Sequence, residues 1–205
     1  MARRRLFSLQ TVPGLMASGL LMGVMLAAGL AGWRLGMARR AASLVPAEPE
    51  ETAPMAAPDP ELKQRGLLLP VQGVDPAALT RSFEDARGGG RRLHHAIDIL
   101  APRGTAVVAV EDGPVVRLHR GGAGGISVYQ LDPARRYGYY YAHLDRHAAG
   151  LHEGQSLRKG DVLGYVGTTG NAPPATPHLH FAIYEVADAR RPWRGRPIDP
   201  YPLWR

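Results

Sequence analysis

From Val12 to Trp33 the chain is almost wholly apolar and carries no charge; Arg3, Arg4 and Arg5 precede this run, and Arg34, Arg39 and Arg40 follow it. At about 1.5 Å per residue the run makes a helix of roughly 33 Å, close to the roughly 30 Å hydrocarbon core of a bilayer. A cleavable signal has a shorter apolar core, about 7–15 residues. The pattern therefore predicts an uncleaved transmembrane signal anchor over residues 12–33, behind a basic N-terminal segment at residues 1–11. Three arginines on each side give only a weak orientation. Residues 34–66, rich in Ala, Pro and Glu, cannot bury a core and are predicted to form a disordered linker.

Beyond Leu67 the pattern changes to short alternating runs. "TAVVAVEDGPVVRLHR" reads as two strands joined at Asp112-Gly113, and "GISVYQL", "YGYYYAHL", "VLGYVG" and "HLHFAIYEV" read as further strands. Turn residues separate them at short intervals: glycines around 121–125, Asp132-Pro133, and Lys159-Gly160-Asp161. Asp75-Pro76 can cap one short helical turn, and no long amphipathic helix competes. Residues 67–205 are thus predicted to form a mainly β domain of antiparallel sheet, built as a barrel or sandwich.

Charge refines this picture. The net charge of +7 is split unevenly, with six arginines and no acid in residues 1–47, five acids and no base in residues 48–61, and +6 in the remainder. A basic domain suits an anionic setting such as a cell wall or lipid surface, and no nucleic-acid motif accompanies the charge. The chain has no cysteine, which excludes disulfides, thiolate metal sites and a cysteine nucleophile.

The candidate chemistry lies in the histidines. In "HLHFAIYE", His178 and His180 share one face of a strand while Leu179, Phe181 and Ile183 share the other. Such a pair can be solvent-exposed decoration on an edge strand, or it can help to hold a metal with ligands from elsewhere. "RRLHHAIDIL" offers His94, His95 and Asp98. Fully extended, His94 and Asp98 would sit about 13 Å apart, so a shared ion requires a bend, expected near Ala96. "YYYAHLDRH" places Tyr139, Tyr141 and His143 on one strand face; the two tyrosines are candidates for either groove lining or packing. His119, His147 and His152 read as surface loop residues. "GTTGNAPPATP" delivers the chain directly into His178.

Taken together, these stretches resemble the lysostaphin/LytM-type zinc metallopeptidases. The resemblance covers roughly residues 68–185 and rests on HxxxD (His94, Asp98), "APRGTAVVAVEDGPV", "YAHL" and HxH, in the family's order. "GQSLRKGDVLGYVGTTGN" is similar to the family's stretch between its last two motifs. The resemblance implies a barrel-sandwich hybrid domain in which Zn2+ is held by His94, Asp98 and His180, with His143 and His178 as non-ligand catalytic histidines. It is also what separates His94 from His95 as ligand. Two imidazoles and a carboxylate leave a fourth zinc position for water, the pattern of a catalytic site. The implied activity is a metalloendopeptidase that hydrolyses peptide cross-links of peptidoglycan. Ala96, where the family usually has glycine, and Ala182, where an acid often follows HLHF, are departures that remove no catalytic group.

A second reading is a non-catalytic module of the same fold that binds or activates another wall hydrolase. Such relatives characteristically lose ligands, whereas all five positions are present here. A lipoyl-like carrier, suggested by "LRKGDVLGYVG", leaves the histidines without a purpose. The expected partners are peptidoglycan peptide stems, the membrane through the N-terminal helix, and, under the second reading, a hydrolase or regulator; nucleic acid is not among them. The expected location is the inner (cytoplasmic) membrane, single pass, with the catalytic domain in the periplasm.

Overall fold

The structure, a computed structural model, describes residues 60–188 and 190–205. The predicted anchor at residues 12–33 lies outside them, as does most of the linker. Among the described residues no helix is long and apolar enough to cross a membrane.

The described part is mainly β, as predicted. In chain order its elements are a helical turn α1 (Pro60–Gln64), β1 (Ala86–Arg87), β2 (Arg92–Leu93), β3 (Ile97–Leu100), β4 (Ala106–Val108), β5 (Gly113–Arg120), β6 (Ile126–Leu131), β7 (Tyr137–His147), β8 (Ser156–Leu157), β9 (Val162–Val166), β10 (His178–Glu185) and β11 (Arg196–Ile198). The short helical turn expected after Asp75 is present at Pro76–Ala78, where the Ala77 N–H donates to Asp75 Oδ1 at 2.8 Å.

All strand pairs are antiparallel. The main sheet runs β11-β10-β7-β6-β5-β8, with β3 also beside β10, β9 beside β7, and β4 beside β9. The strands on either side of Asp112-Gly113 exist but do not form a hairpin with each other: β4 pairs β9, and β5 pairs β6 and β8. Strand β7 does the joining. Its first half lies between β6 and β10, and its last residues pair with β9.

Alternation along these strands builds the core. From β7 come Tyr137, Tyr139 and Tyr141; from β10, Leu179, Phe181 and Ile183; from β3, Ile97 and Ile99; all are buried. Burying tyrosines demands partners for their hydroxyls. Tyr141 OH donates to Gln130 Oε1 at 2.7 Å, Gln130 Nε2 donates to Glu111 O at 2.8 Å, and Tyr139 OH donates to the Glu111 carboxylate. These contacts decide between the two readings of Tyr139 and Tyr141: both pack inside and neither lines a groove.

Residues 60–66, the end of the predicted linker, are packed against the domain. Leu62 is fully buried, and Arg65 Nη1 donates to Asp132 Oδ2 at 2.9 Å. Asp132 Oδ1 also accepts from the N–H groups of Arg136 (2.6 Å) and Tyr137 (2.8 Å), closing the β6–β7 turn that Asp132-Pro133 signals in the sequence. At the other end of the chain, Trp204 Nε1 donates to Leu67 O at 2.9 Å, and its ring packs on Phe181 at 5.8 Å. Both ends of the described chain are therefore fastened to the core.

Asp132 is fully buried and serves three donors, so its truncation leaves two turn amides without their acceptor and Arg65 with only Glu61 and Glu111. Asp132→Ala is expected to lose about 3–5 kcal/mol of stability, the usual cost of breaking a buried charge pair. Urea unfolding checks this; a loss below about 1 kcal/mol would mean that the Arg65 contact holds nothing.

Candidate metal centre

The open face of β10 carries His178 and His180, while Leu179 and Phe181 point into the core, so the alternation read from the sequence holds. The register of β3 against β10 places Asp98 opposite His180 and Leu100 opposite His178. Leu100 lies two residues from Asp98, on the same face, with 67% of its surface exposed. His94 reaches the group by a bend. That bend falls at His95, whose φ is +53°, one residue before the expected Ala96. His95 is held there by its N–H donating to Phe83 O at 2.9 Å, with its ring against Phe83 at 5.4 Å.

Three donor atoms converge as a result. His94 Nε2 lies 3.0 Å from Asp98 Oδ1 and 2.9 Å from His180 Nδ1, and His180 Nδ1 lies 3.1 Å from Asp98 Oδ1. The other nitrogen of His94, Nδ1, donates to Ser82 O at 2.9 Å. With Nδ1 so committed, His94 can face the Asp98 carboxylate only with a metal cation between the two atoms or a proton on Nε2. Burial opposes the charge of Asp98, but hydrogen bonds from His180 and His94 outweigh it and hold the carboxyl well below the usual range. Burial also lowers the pKa of His180, keeping it neutral. Four-coordinate zinc with bonds of about 2.0–2.1 Å separates its ligand atoms by roughly 3.3 Å, close to these spacings. The residues present fit a zinc ion.

His143 and His178 stand beside this triad. Their rings are 5.0 Å apart, and His143 is 5.6 Å from the His180 ring. Each is oriented by a backbone carbonyl: His143 Nδ1 donates to Thr169 O at 2.8 Å, and His178 Nδ1 to Thr176 O at 2.8 Å. These contacts engage Nδ1 of each ring and leave Nε2 as the nitrogen available for other partners. Burial pushes His143 down to about 4, so it is neutral at pH 7.

The expectation that His143 shares a face with Tyr139 and Tyr141 is corrected here. His143 has φ +60°, and the β7 register against β6 and β9 shifts around it. A bulge breaks the two-residue period, so the tyrosines point inward while His143 turns to the site. Tyr140 takes the outward position: its ring meets His180 edge-on at 6.1 Å and stacks on Tyr129 at 4.4 Å. Two of the three remaining histidines are not loop residues. His119 lies on β5, and His147 ends β7 with Nε2 bonded to Ser127 O at 3.0 Å.

The loop from Gly167 into β10 is fixed by Thr169, whose hydroxyl donates to Leu144 O at 2.7 Å and accepts from the Ile126 N–H at 2.9 Å. Gly170, at φ +75°, lies against the 121–125 loop so closely that a Cβ would fall 2.1 Å from Ala123 O. Ser82 and Thr176 serve through main-chain carbonyls, so no side-chain motif could have flagged them.

Residues 92–200 match the sequence profile of Peptidase family M23, more than half of the 205-residue chain. The chain belongs to this family. It is 39% identical over 151 residues to the L-Ala–D-Glu endopeptidase of Bacillus subtilis, covering 71% of this chain and 44% of that protein. It is 38% identical over 109 residues to the DD-carboxypeptidase/endopeptidase Mpg of Neisseria meningitidis, covering 53% and 22%. It thus spans less than half the length of either relative. Among solved structures, a Ruminococcus gnavus protein named as a candidate glycyl-glycine endopeptidase, lytM, is 31% identical with a TM-score of 0.52, covering 62% of this chain and 52% of that one. The five residues that the sequence singles out all fall inside the M23 match.

Thr169→Val keeps the carbonyl that accepts from His143 but removes both hydroxyl bonds that fix its loop. A stability loss of roughly 1–3 kcal/mol is expected, with two groups left unpaired. The His143 Nδ1–H proton is expected to be visible by NMR in the parent protein, where it donates to Thr169 O, and to disappear from the spectrum of the variant. An unchanged proton signal would show that the loop is held elsewhere.

Proposed function

We propose that the chain is a zinc metalloendopeptidase that cuts peptide cross-links of peptidoglycan. The observation that carries this reading is the convergence of His94 Nε2, Asp98 Oδ1 and His180 Nδ1 within 3.1 Å, flanked by His143 and His178, in an M23 domain. Zinc in such a set is a Lewis acid that polarises a carbonyl and lowers the pKa of water to about 7.

The two flanking histidines move the protons. His143, neutral at pH 7 with its Nε2 open, is suited to take a proton from attacking water and pass it to the leaving amine. His178, whose Nε2 lies 3.8 Å from Asp98 Oδ1, is suited when protonated to donate to the oxyanion that develops on the scissile carbonyl. All five groups being present supports the enzyme over the non-catalytic module.

The substrate class rests on the relatives. They are named for L-Ala–D-Glu, DD and glycyl-glycine bonds. One domain type thus serves several peptide bonds of different chemistry, so the bond is chosen by what borders the five residues. Exposed Leu100, opposite His178, is such a bordering group.

The location we propose rests on the sequence pattern alone. An uncharged apolar run of bilayer length at residues 12–33 supports a domain anchored at the outer side of the inner membrane. Fractionation checks this: a full-length membrane-bound protein whose domain is degraded by protease added to spheroplasts is expected. A soluble form beginning after residue 30 would contradict the anchor.

The activity is tested by incubating the protein with defined peptidoglycan fragments and analysing the products by mass. New amino termini at a peptide cross-link are expected. His143→Ala and His178→Ala should each retain zinc and lose turnover by roughly 10²–10⁴-fold, the usual worth of acid–base groups. His180→Ala should lose most of its zinc, because two ligands hold it poorly. Full zinc retention in His180→Ala, or near-normal turnover in either other variant, would overturn the assignment.

A further inference from the structure

The carboxylate of Asp98 is used at both ends. Oδ1 faces His94 and His180, while Oδ2 accepts from Arg87 Nη2 at 2.8 Å. Arg87 closes β1 of a small hairpin whose other strand, β2, runs directly into His94. Gly88, Gly89 and Gly90 turn that hairpin with φ of +59°, +72° and +85°. Three successive left-handed residues suit glycine alone. The tight turn brings Arg87 opposite Arg92, so one hairpin delivers both a donor of the triad and the cation that grips its carboxylate.

The geometry points to Arg87 as a positioning residue that confines Asp98 to one-oxygen coordination and so keeps the fourth metal position open. This rests on the zinc-site reading above. A carboxylate free at both oxygens can swing to bind an ion with the pair, adding a fifth donor that crowds the place that water needs. Swinging Asp98 would break a charge-assisted bond between guanidinium and carboxylate. Among the other acids, Asp85 Oδ2 stands 3.9 Å from Arg87 Nη2, against 2.8 Å for Asp98.

The sign of the effect separates this role from a bystander's. A cation beside a metal site repels the metal, so deleting a bystander charge would tighten binding. Deleting a group that orients a ligand loosens it, typically 10–100-fold.

The test uses the full-length protein in detergent, loaded with zinc against a chromogenic chelator and, separately, with cobalt(II), whose visible absorption is strong in four-coordinate and weak in five-coordinate sites. Arg87→Met is expected to bind zinc 10–100-fold more weakly than the parent, with its cobalt band dimmed toward five-coordination. Arg87→Lys, which keeps a donor and the charge, should recover part of both. Thermal midpoints of the metal-free proteins separate coordination from folding; if Arg87→Met is unfolded, Arg87→Lys decides, with a dimmed band expected. Zinc affinity equal to or tighter than the parent's, or an unchanged cobalt spectrum, would overturn the inference while leaving the zinc site standing. Absence of stoichiometric zinc in the parent itself would overturn both.

Discussion

Three electron-rich atoms from three chain positions, His94 Nε2, Asp98 Oδ1 and His180 Nδ1, are held 2.9–3.1 Å apart on the open face of a sheet. With the second nitrogen of His94 committed to Ser82 O, Nε2 meets the carboxylate favourably only through a metal cation or a proton. Much of the surrounding architecture serves to hold that arrangement. Strand β10 supplies two histidines by alternation, and its register with β3 sets Asp98 beside His180. The left-handed turn at His95 folds four residues of chain back on themselves, so that His94 meets a carboxylate it could not reach in an extended strand.

A second group of constraints aims the flanking histidines. Main-chain carbonyls of Thr169 and Thr176 fix the protons of His143 and His178 on Nδ1, and Thr169 fastens its own loop to β6 and β7 through its hydroxyl. His143 reaches the site because β7 breaks its period at a bulge. Strain of this kind is tolerated where the surrounding structure over-determines it. Here the bulge is bounded by pairing to β6 on one side and β9 on the other, over a core packed with tyrosines whose hydroxyls are satisfied. The fastened ends of the chain close the same core, through Arg65 with Asp132 and through Trp204 with Leu67.

What was legible in the sequence follows from which rules stay local. Alternation in "HLHFAIYE" gave the shared face of His178 and His180, because nothing interrupts that strand. The same rule misplaced Tyr139 and Tyr141 relative to His143, since a single left-handed residue inverts the count and leaves no clear mark in the sequence. The need for a bend between His94 and Asp98 could be seen from distance alone, but its position one residue before Ala96 depends on Phe83, twelve residues away from His95 in the chain. Ser82, Thr169 and Thr176 contribute main-chain oxygens, which every residue possesses. Arg87 sits in a run of glycine and arginine that carries no motif, and only the folded hairpin turns it toward Asp98.

The most direct measurement is anomalous scattering at the zinc edge from crystals of the purified protein. The account predicts one strong peak within bonding distance of His94 Nε2, Asp98 Oδ1 and His180 Nδ1, about 2.0–2.2 Å from each. A zinc-replete crystal without a peak at these three atoms, or with its peak on His95, His147 or His152 instead, would contradict it.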